Sequence, residues 1–160
     1  MRTMKNFTMV FDSLSETFMG FQKKYDSIMV VDDHGLFRQT VSSLLEETFP
    51  QSTIVEAIDG EDALRLLGQN SINIAILDVH MPKMDGFELA THIRNRYPKT
   101  KVIMLTSHNE KEVLAQAKQV GVKGYIVKED AANDLADCIH CVSNGSTYVS
   151  KSMSRYAFQF

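Results

Sequence analysis

One stretch of the sequence decides the fold: Ile74-Ala-Ile-Leu-Asp78-Val-His-Met-Pro82-Lys-Met-Asp-Gly86. Its first four residues are apolar without alternation, which is typical of a strand buried on both faces of a parallel sheet. The strand stops at an acid, Asp78, and Pro82 and Gly86 then predict a turn before the next helix. A carboxylate at the carboxyl end of a central parallel strand lies in the crevice where open α/β sheets bind ligands. Asp78 is therefore the first candidate functional residue.

Composition and charge limit the class of protein. The length of 160 residues suits one domain, or one domain with an appendage. Hydrophobic residues make up 44% and charged residues 23%, and the net charge of -3 predicts no direct binding of nucleic acid or anionic membranes. No apolar run approaches the roughly 20 residues of a membrane span. Two cysteines without a disulfide framework predict a reducing compartment, the cytoplasm.

From residue 27 onward the sequence alternates between strand and helix patterns. Buried strands are predicted at residues 28–31, 74–77, 102–105 and 124–127, and a more exposed strand at 53–57. The first helix has Phe37, Thr40, Val41, Leu44 and Leu45 on one face and is stopped by Pro50, and further helices are predicted near 62–67, 87–96, 110–120 and 132–143. Five strands separated by helices predict an α/β domain, residues 27–149, with a parallel sheet covered on both faces.

Two segments flank this domain. In residues 1–26, apolar residues recur in steps of three and four and form one helical stripe. A lone helix of this kind is marginal in water, so it should dock, and the spacing favours a homodimer through a short coiled coil. Packing against the chain's own domain, or contact with a membrane surface, are the alternatives. The tail, residues 150–160, is weakly patterned, with Ser150 a candidate cap of a short helix through Tyr156.

Polar residues end four of the predicted strands: Asp32 with Asp33, Asp78, Thr106, and Lys128. Carboxyl ends of parallel strands share one edge of the sheet, so these side chains should converge. Crowded carboxylates raise one another's pKa unless a cation joins them, and both Lys128 and a hard divalent ion such as Mg²⁺ suit that role. Such an ion can hold a phosphoryl group, which leaves Asp78 as a nucleophile able to form an aspartyl phosphate. The structural alternative is that these groups only cap the following helices.

Four motifs, in this order and spacing, resemble a known family. They are Val-Val-Asp-Asp-His (30–34), Ile-Leu-Asp-Val-His-Met-Pro-Lys-Met-Asp-Gly (76–86), Val-Ile-Met-Leu-Thr-Ser (102–107) and Gly-Tyr-Ile-Val-Lys (124–128). Over about residues 25–149 the chain resembles a response-regulator receiver domain, the phosphorylation-controlled half of two-component signalling. The resemblance implies a flavodoxin-like sheet of order 2-1-3-4-5. It also implies a histidine kinase or a phosphotransfer protein as the partner that supplies the phosphoryl group.

The resemblance also assigns the chemistry. It implies that Asp78 is the phosphoacceptor, and that Asp32, Asp33, Asp78 and the backbone carbonyl of His80 bind Mg²⁺ or Mn²⁺. The chain would catalyse only its own phosphorylation and dephosphorylation, and would not be an enzyme acting on other substrates. Phosphorylation would change the surface formed by the last helices and the last strand, for a partner or for a dimer.

The resemblance implies a switch as well. Lys128 would pair with the phosphoryl group, the Thr106 hydroxyl would move toward it, and the Tyr125 ring would swing inward behind it. His80 and His108 each lie two residues after a site residue, where receivers admit the attacking water. We expect replacement of either histidine to change the dephosphorylation rate, with a sign that the sequence leaves open.

Two departures from the family pattern matter. Chemotaxis-type receivers follow the lysine with proline, usually through a cis bond, whereas Glu129 follows Lys128 here. The Leu-Phe-Arg after the first acids and the Lys-Glu-Asp after the last predicted strand resemble receivers that precede a LuxR-type DNA-binding domain. We find no such domain in the sequence, so the output was lost, belongs to another chain, or was cut away.

Other functions fit less well. Haloacid-dehalogenase-type phosphatases also use an aspartate and Mg²⁺, but they need a second acid at the position of His80. A receiver that only docks partners would not need the full set of polar strand ends. Cys138 and Cys141 have the spacing of half a zinc site, yet no second pair exists, and Cys138 on an apolar helix face is predicted to be core.

Overall fold

The computed structural model describes residues 27–107 and 109–159. The N-terminal segment 1–26, with its predicted homodimer helix, and His108 lie outside the described residues. The elements in chain order are β1 Ser27–Val31, α1 Gly35–Thr48, β2 Thr53–Ala57, α2 Gly60–Leu67, β3 Ile74–Leu77, α3 Gly86–Arg96, β4 Lys101–Thr106, α4 Lys111–Gln119, β5 Gly124–Val127, a 3-10 turn Lys128–Asp130, α5 Ala131–Ser143, β6 Tyr148–Val149 and a 3-10 helix Lys151–Gln159.

The strands form one parallel sheet in the order β2-β1-β3-β4-β5-β6. The predicted flavodoxin-like order of the first five strands is confirmed. Alternate residues of β3 face opposite sides, so that Ile74 and Ile76 enter one apolar core while Ala75 and Leu77 enter the other. This two-sided burial is the physical reason why the strand sequences are apolar without alternation.

A sixth strand was not predicted. Tyr148 and Val149 pair in parallel with Gly124 and Tyr125 and so extend the sheet beyond β5. The expectation of five strands is therefore wrong by one, because a two-residue strand carries no periodicity of its own and is defined by its partner. The predicted short helix after Ser150 is present as the 3-10 helix Lys151–Gln159.

Ser150 joins this C-terminal segment to β5. Its backbone N–H donates to the Tyr125 carbonyl at 2.8 Å, and its Oγ accepts from the Val127 backbone N–H at 3.0 Å. The Ser150 side chain is fully buried, and so is Met153 in the helix that follows. The segment therefore covers the edge of the strand that leads to Lys128, and part of the weakly patterned tail is integral to the domain.

Replacing Ser150 by alanine should lower the free energy of unfolding by about 1–2 kcal/mol, because the buried Val127 N–H would lose its acceptor. Urea unfolding followed by circular dichroism measures the change. Ser154→Ala is the matched control, since Ser154 lies in the same segment with an exposed side chain. Equal unfolding midpoints for the two variants would contradict the assigned role of Ser150.

The loop between β3 and α3 is tight around Asp78. A Cβ atom on Gly86 would lie 2.2 Å from the Asp78 carbonyl oxygen, so only glycine lets the start of α3 approach the end of β3 this closely. The Gly86 N–H donates to the Val79 carbonyl at 2.8 Å. Within the loop, Lys83 has a left-handed φ of 69°. The Asp-Gly pair at 85–86 therefore fixes the backbone that carries Asp78.

Candidate functional site

The polar strand ends converge as predicted. Asp32 follows β1, Asp78 follows β3 and Lys128 follows β5, and the Lys128 Nζ lies 2.7 Å from Asp32 Oδ2 and 3.4 Å from Asp78 Oδ1. Thr106 is buried at the end of β4 and is in register with Val127, the residue before Lys128. Both acids are almost completely buried. The sheet therefore brings two acids and a lysine together from three separate strands.

The alternative that these residues only cap helices does not hold. Helix α1 begins after His34 and α4 begins after Glu110, and neither has a side-chain hydrogen bond at its cap. The true caps are Asp59 for α2 and Asp85 for α3, each accepting from a backbone N–H three residues on.

Four residues at this edge could hold a metal ion. One ligand atom from each of Asp32, Asp33, His34 and Asp78 lies within 4.8 Å of the others. His34 Nδ1 is 3.3 Å from Asp32 Oδ1 and 3.2 Å from Asp33 Oδ1, a proximity that the sequence reasoning did not anticipate. Carboxylate oxygens are the ligands that Mg²⁺ and Mn²⁺ prefer, so the donor set fits the implied ion.

Burial raises the pKa of Asp78 above its ordinary value. The Lys128 ammonium opposes this rise, and the Asp32 carboxylate adds to it by repulsion. The ionised form of Asp78 is therefore held in the fold at a cost in free energy.

This cost predicts the stability of Asp78→Asn. In the unfolded chain the Asp78 carboxyl has an ordinary pKa of about 4, so it loses its proton at a lower pH than in the folded protein. The free energy of unfolding therefore falls as the pH rises above this value, until the folded Asp78 also ionises. Without divalent cations, Asp78→Asn should be more stable than the wild type by about 1 kcal/mol at pH 7, and the gain should shrink near pH 4. Urea unfolding in EDTA at both pH values measures it, with the exposed Asp137→Asn as control. A less stable Asp78→Asn at pH 7 would contradict the prediction.

The remaining predicted site residues divide into two groups. Tyr125 is fully buried, and burial, aided by Glu110, raises the pKa of its phenol. Its ring therefore lies inward in this state of the protein. His80 has an exposed side chain, and His108 lies outside the described residues. The part of these histidines in dephosphorylation, and of the His80 carbonyl in metal binding, stays a prediction.

Two further residues of α1 contact the site and were not predicted to do so. The ring of Phe37 has its centroid 4.4 Å from the Lys128 Nζ. Arg38 donates from Nη1 to the Asp32 carbonyl at 2.6 Å and from Nε to Glu56 Oε2 at 2.9 Å. Only the position of these two residues in the sequence could have indicated the contacts, because both fall in the first turn of the helix that starts beside the first acids.

The residues after Lys128 form a 3-10 turn, and the described part of the chain contains no cis peptide bond.

Cys138 is a buried core residue of α5, as predicted, and burial raises the pKa of its thiol. Over the described residues, the metal-type cluster at Asp32–His34 and Asp78 does not include either cysteine.

Comparison with known families identifies the domain. The family model for the response regulator receiver domain matches residues 28–140. The chain belongs to this family. Over these residues the chain is a receiver domain of the kind found in two-component response regulators, which supports a role as a signalling switch. The haloacid-dehalogenase alternative is thereby set aside.

Several relatives of the receiver have an additional region. The glycerol metabolism activator of Pseudomonas putida is 32% identical over 129 residues, which cover 80% of this chain and 58% of the relative. The chain thus spans a little over half the length of that curated relative.

Within the described residues of this chain, no helix combines the length and the apolar character needed to cross a bilayer.

Two solved structures share the fold and a substantial part of the sequence. The LuxR-family two-component response regulator from Aurantimonas sp. SI85-9A1 is 26% identical with a TM-score of 0.77. The match covers 83% of this chain and 95% of that chain. The signal receiver domain of the putative response regulator NarL from Mycobacterium tuberculosis is 31% identical with a TM-score of 0.70. The match covers 76% of this chain and 98% of that chain. The predicted similarity to receivers of LuxR-type regulators is confirmed.

Proposed function

We propose that the chain takes a phosphoryl group from a histidine kinase or a phosphotransfer protein onto Asp78, with the help of Mg²⁺ or Mn²⁺. The observation that carries the proposal is the position of the Lys128 ammonium, 2.7 Å from Asp32 and 3.4 Å from Asp78. The buried Asp78 carboxylate shares the Lys128 ammonium with Asp32. The ammonium is therefore in place to bind the oxygens of a phosphoryl group that is transferred to Asp78.

The transfer exchanges one bond to phosphorus for another. An oxygen of the Asp78 carboxylate forms the new P–O bond while the P–N bond of the donor phosphohistidine breaks. The electron pair of the broken bond stays on the imidazole nitrogen of the donor. Lys128 then binds a phosphoryl oxygen, and the Thr106 hydroxyl at the end of β4 is the second group proposed to do so.

The charge of the site supports a divalent cation. The carboxylates of Asp32, Asp33 and Asp78 lie together, and the Lys128 ammonium contacts Asp32 and Asp78, so the cluster keeps an excess of negative charge. These acids, with the His80 carbonyl, would hold the ion, which stabilises charge on the transferring phosphoryl oxygens when bound. The chain itself would be a signalling protein with autocatalytic phosphorylation and dephosphorylation, and not an enzyme for other substrates.

The proposed output is a change of surface. Phosphorylation would move Thr106 toward the phosphoryl group and lock the Tyr125 ring inward, which alters the surface of α4, β5 and α5 for a partner or a second copy. A homodimer through residues 1–26 remains part of the proposal. Because the chain is similar to a LuxR-family regulator, the eventual output in this proposal is control of transcription through a separate DNA-binding domain.

Beryllofluoride with Mg²⁺, a mimic of the bound phosphoryl group, tests the proposal. We expect it to shift the NMR signals of the wild type around Asp78, Thr106 and Tyr125, and to leave the folded Asp78→Asn variant unchanged. The exposed carboxylate variant Asp137→Asn should respond like the wild type. A wild type that ignores beryllofluoride would instead indicate a receiver that serves only as a docking surface.

A further inference from the structure

The ammonium of Lys128 has a third neighbour besides the two acids. The centroid of the Phe37 ring lies 4.4 Å from Nζ, within the range of a cation–π contact. The Lys128 side chain is only 14% exposed, so the ring replaces water on one side of the charge. Desolvated contacts of this kind are stronger than those on an open surface.

Phe37 is held in place from behind. It lies in the first turn of α1 and packs against the apolar core that includes Ile28 and Val30 of β1. The start of α1 is fastened to the same strand end by Arg38, which donates to the Asp32 carbonyl at 2.6 Å. The ring is therefore a fixed wall of the site, whereas Lys128 has a flexible four-carbon stem.

An aromatic wall differs in effect from a third carboxylate. It attracts the ammonium without carrying a net charge, so it offers no oxygen ligand to the metal ion and repels the incoming phosphoryl oxygens far less than a carboxylate would. It also does not form an ion pair that must break when Lys128 turns from Asp32 toward a phosphoryl group on Asp78. The ring can therefore stay in contact with the ammonium while Lys128 changes its oxygen partner.

We propose that Phe37 is a positioning residue, whose ring face holds the Lys128 ammonium within reach of the phosphoryl group on Asp78. This role rests on the proposed phosphorylation of Asp78. Helix α1 would then contribute to phosphoryl capture indirectly, because its residue Phe37 acts on the phosphoryl group only through Lys128. The simpler alternative is that the ring only packs against the lysine stem and the core.

The first test compares variants of Phe37 in the full chain. Phe37→Leu should slow labelling by acetyl phosphate and Mg²⁺ about three- to tenfold, while Phe37→Tyr should stay within about twofold of the wild type. Phe49→Leu is the matched control, because Phe49 follows the other end of α1 and packs on the same core. Unfolding curves establish that each variant is folded. Equal labelling rates for Phe37→Leu and the wild type would overturn the proposal.

The second test separates the ring's electrostatics from its shape. Site-specific incorporation of phenylalanines with one, two and three fluorines at position 37 weakens the cation–π contact while nearly preserving size. The labelling rate should fall in that order, and a flat series would show that the ring only packs.

A third measurement does not depend on phosphorylation. The ring current of Phe37 should shift the Lys128 side-chain methylene protons upfield in the NMR spectrum of the wild type, and Phe37→Leu should abolish the shift. An unshifted lysine would overturn the proposal even if labelling occurs. A shifted lysine in a wild type that takes no label would instead overturn the proposed phosphorylation, and with it the part of Phe37 in phosphoryl capture.

Discussion

Asp33→Asn will lower the rate of labelling by acetyl phosphate about 100-fold or more, and EDTA will do the same to the wild type. Asp33 is the informative choice among the acids, because it is exposed whereas Asp32 is buried and paired with Lys128. Loss of a metal ion that stabilises transferring charge removes several kcal/mol, and about 3 kcal/mol corresponds to this factor.

The measurement is the initial rate of mass increase at a fixed Mg²⁺ concentration, followed by a Mg²⁺ titration of each variant. Asp33→Asn should need much more Mg²⁺ for the same rate, while the exposed control Asp137→Asn should behave as the wild type. Wild-type labelling in EDTA would show that the acidic cluster does not act through a cation.

The second large effect concerns Lys128. Lys128→Ala should fold, but with a free energy of unfolding lower by about 2 kcal/mol, because buried Asp32 loses the ammonium 2.7 Å away. Mg²⁺ should restore most of this loss by neutralising the acids. The variant should also lose the response of Tyr125 to beryllofluoride, since the charge pairing that couples the phosphoryl group to the sheet is gone.

Denaturant unfolding with and without Mg²⁺ gives the first quantity, and two-dimensional NMR with beryllofluoride gives the second. Lys123→Ala is the control, because Lys123 is an exposed lysine just before the opposite end of β5. A full Tyr125 response in Lys128→Ala would mean that the phosphoryl group is sensed by another route.

The sequence predicted most where the signal was local. Each apolar run that stops at a polar residue became a strand ending at one edge of the sheet, and Asp32, Asp78 and Lys128 meet there. The helix bounds were close because Gly and Pro mark several of them. Thr40 was grouped with Val41 and Leu45 on one face of α1, but Thr40 is exposed whereas the other two are buried, because spacing alone does not fix which residues of a helix face reach the core.

What the sequence did not reveal depends on contacts between distant segments. Strand β6 is two residues long, and its existence follows from pairing with β5. Phe37 was recognised as part of a helix face, but its contact with Lys128 requires the path of α1 beside the sheet edge. Arg38 likewise gains its role only when the Asp32 carbonyl lies beside it.

The central claim is that Asp78 carries the phosphoryl group, and chemical localisation tests it most directly. Protein labelled with acetyl phosphate and Mg²⁺ is reduced with borohydride, which converts an aspartyl phosphate to homoserine, and is then digested and sequenced by mass spectrometry. We expect homoserine at position 78 alone, and none in unlabelled protein or in Asp78→Asn. Homoserine at position 32 or 33, or a phosphoryl group that survives reduction on another residue, would contradict it.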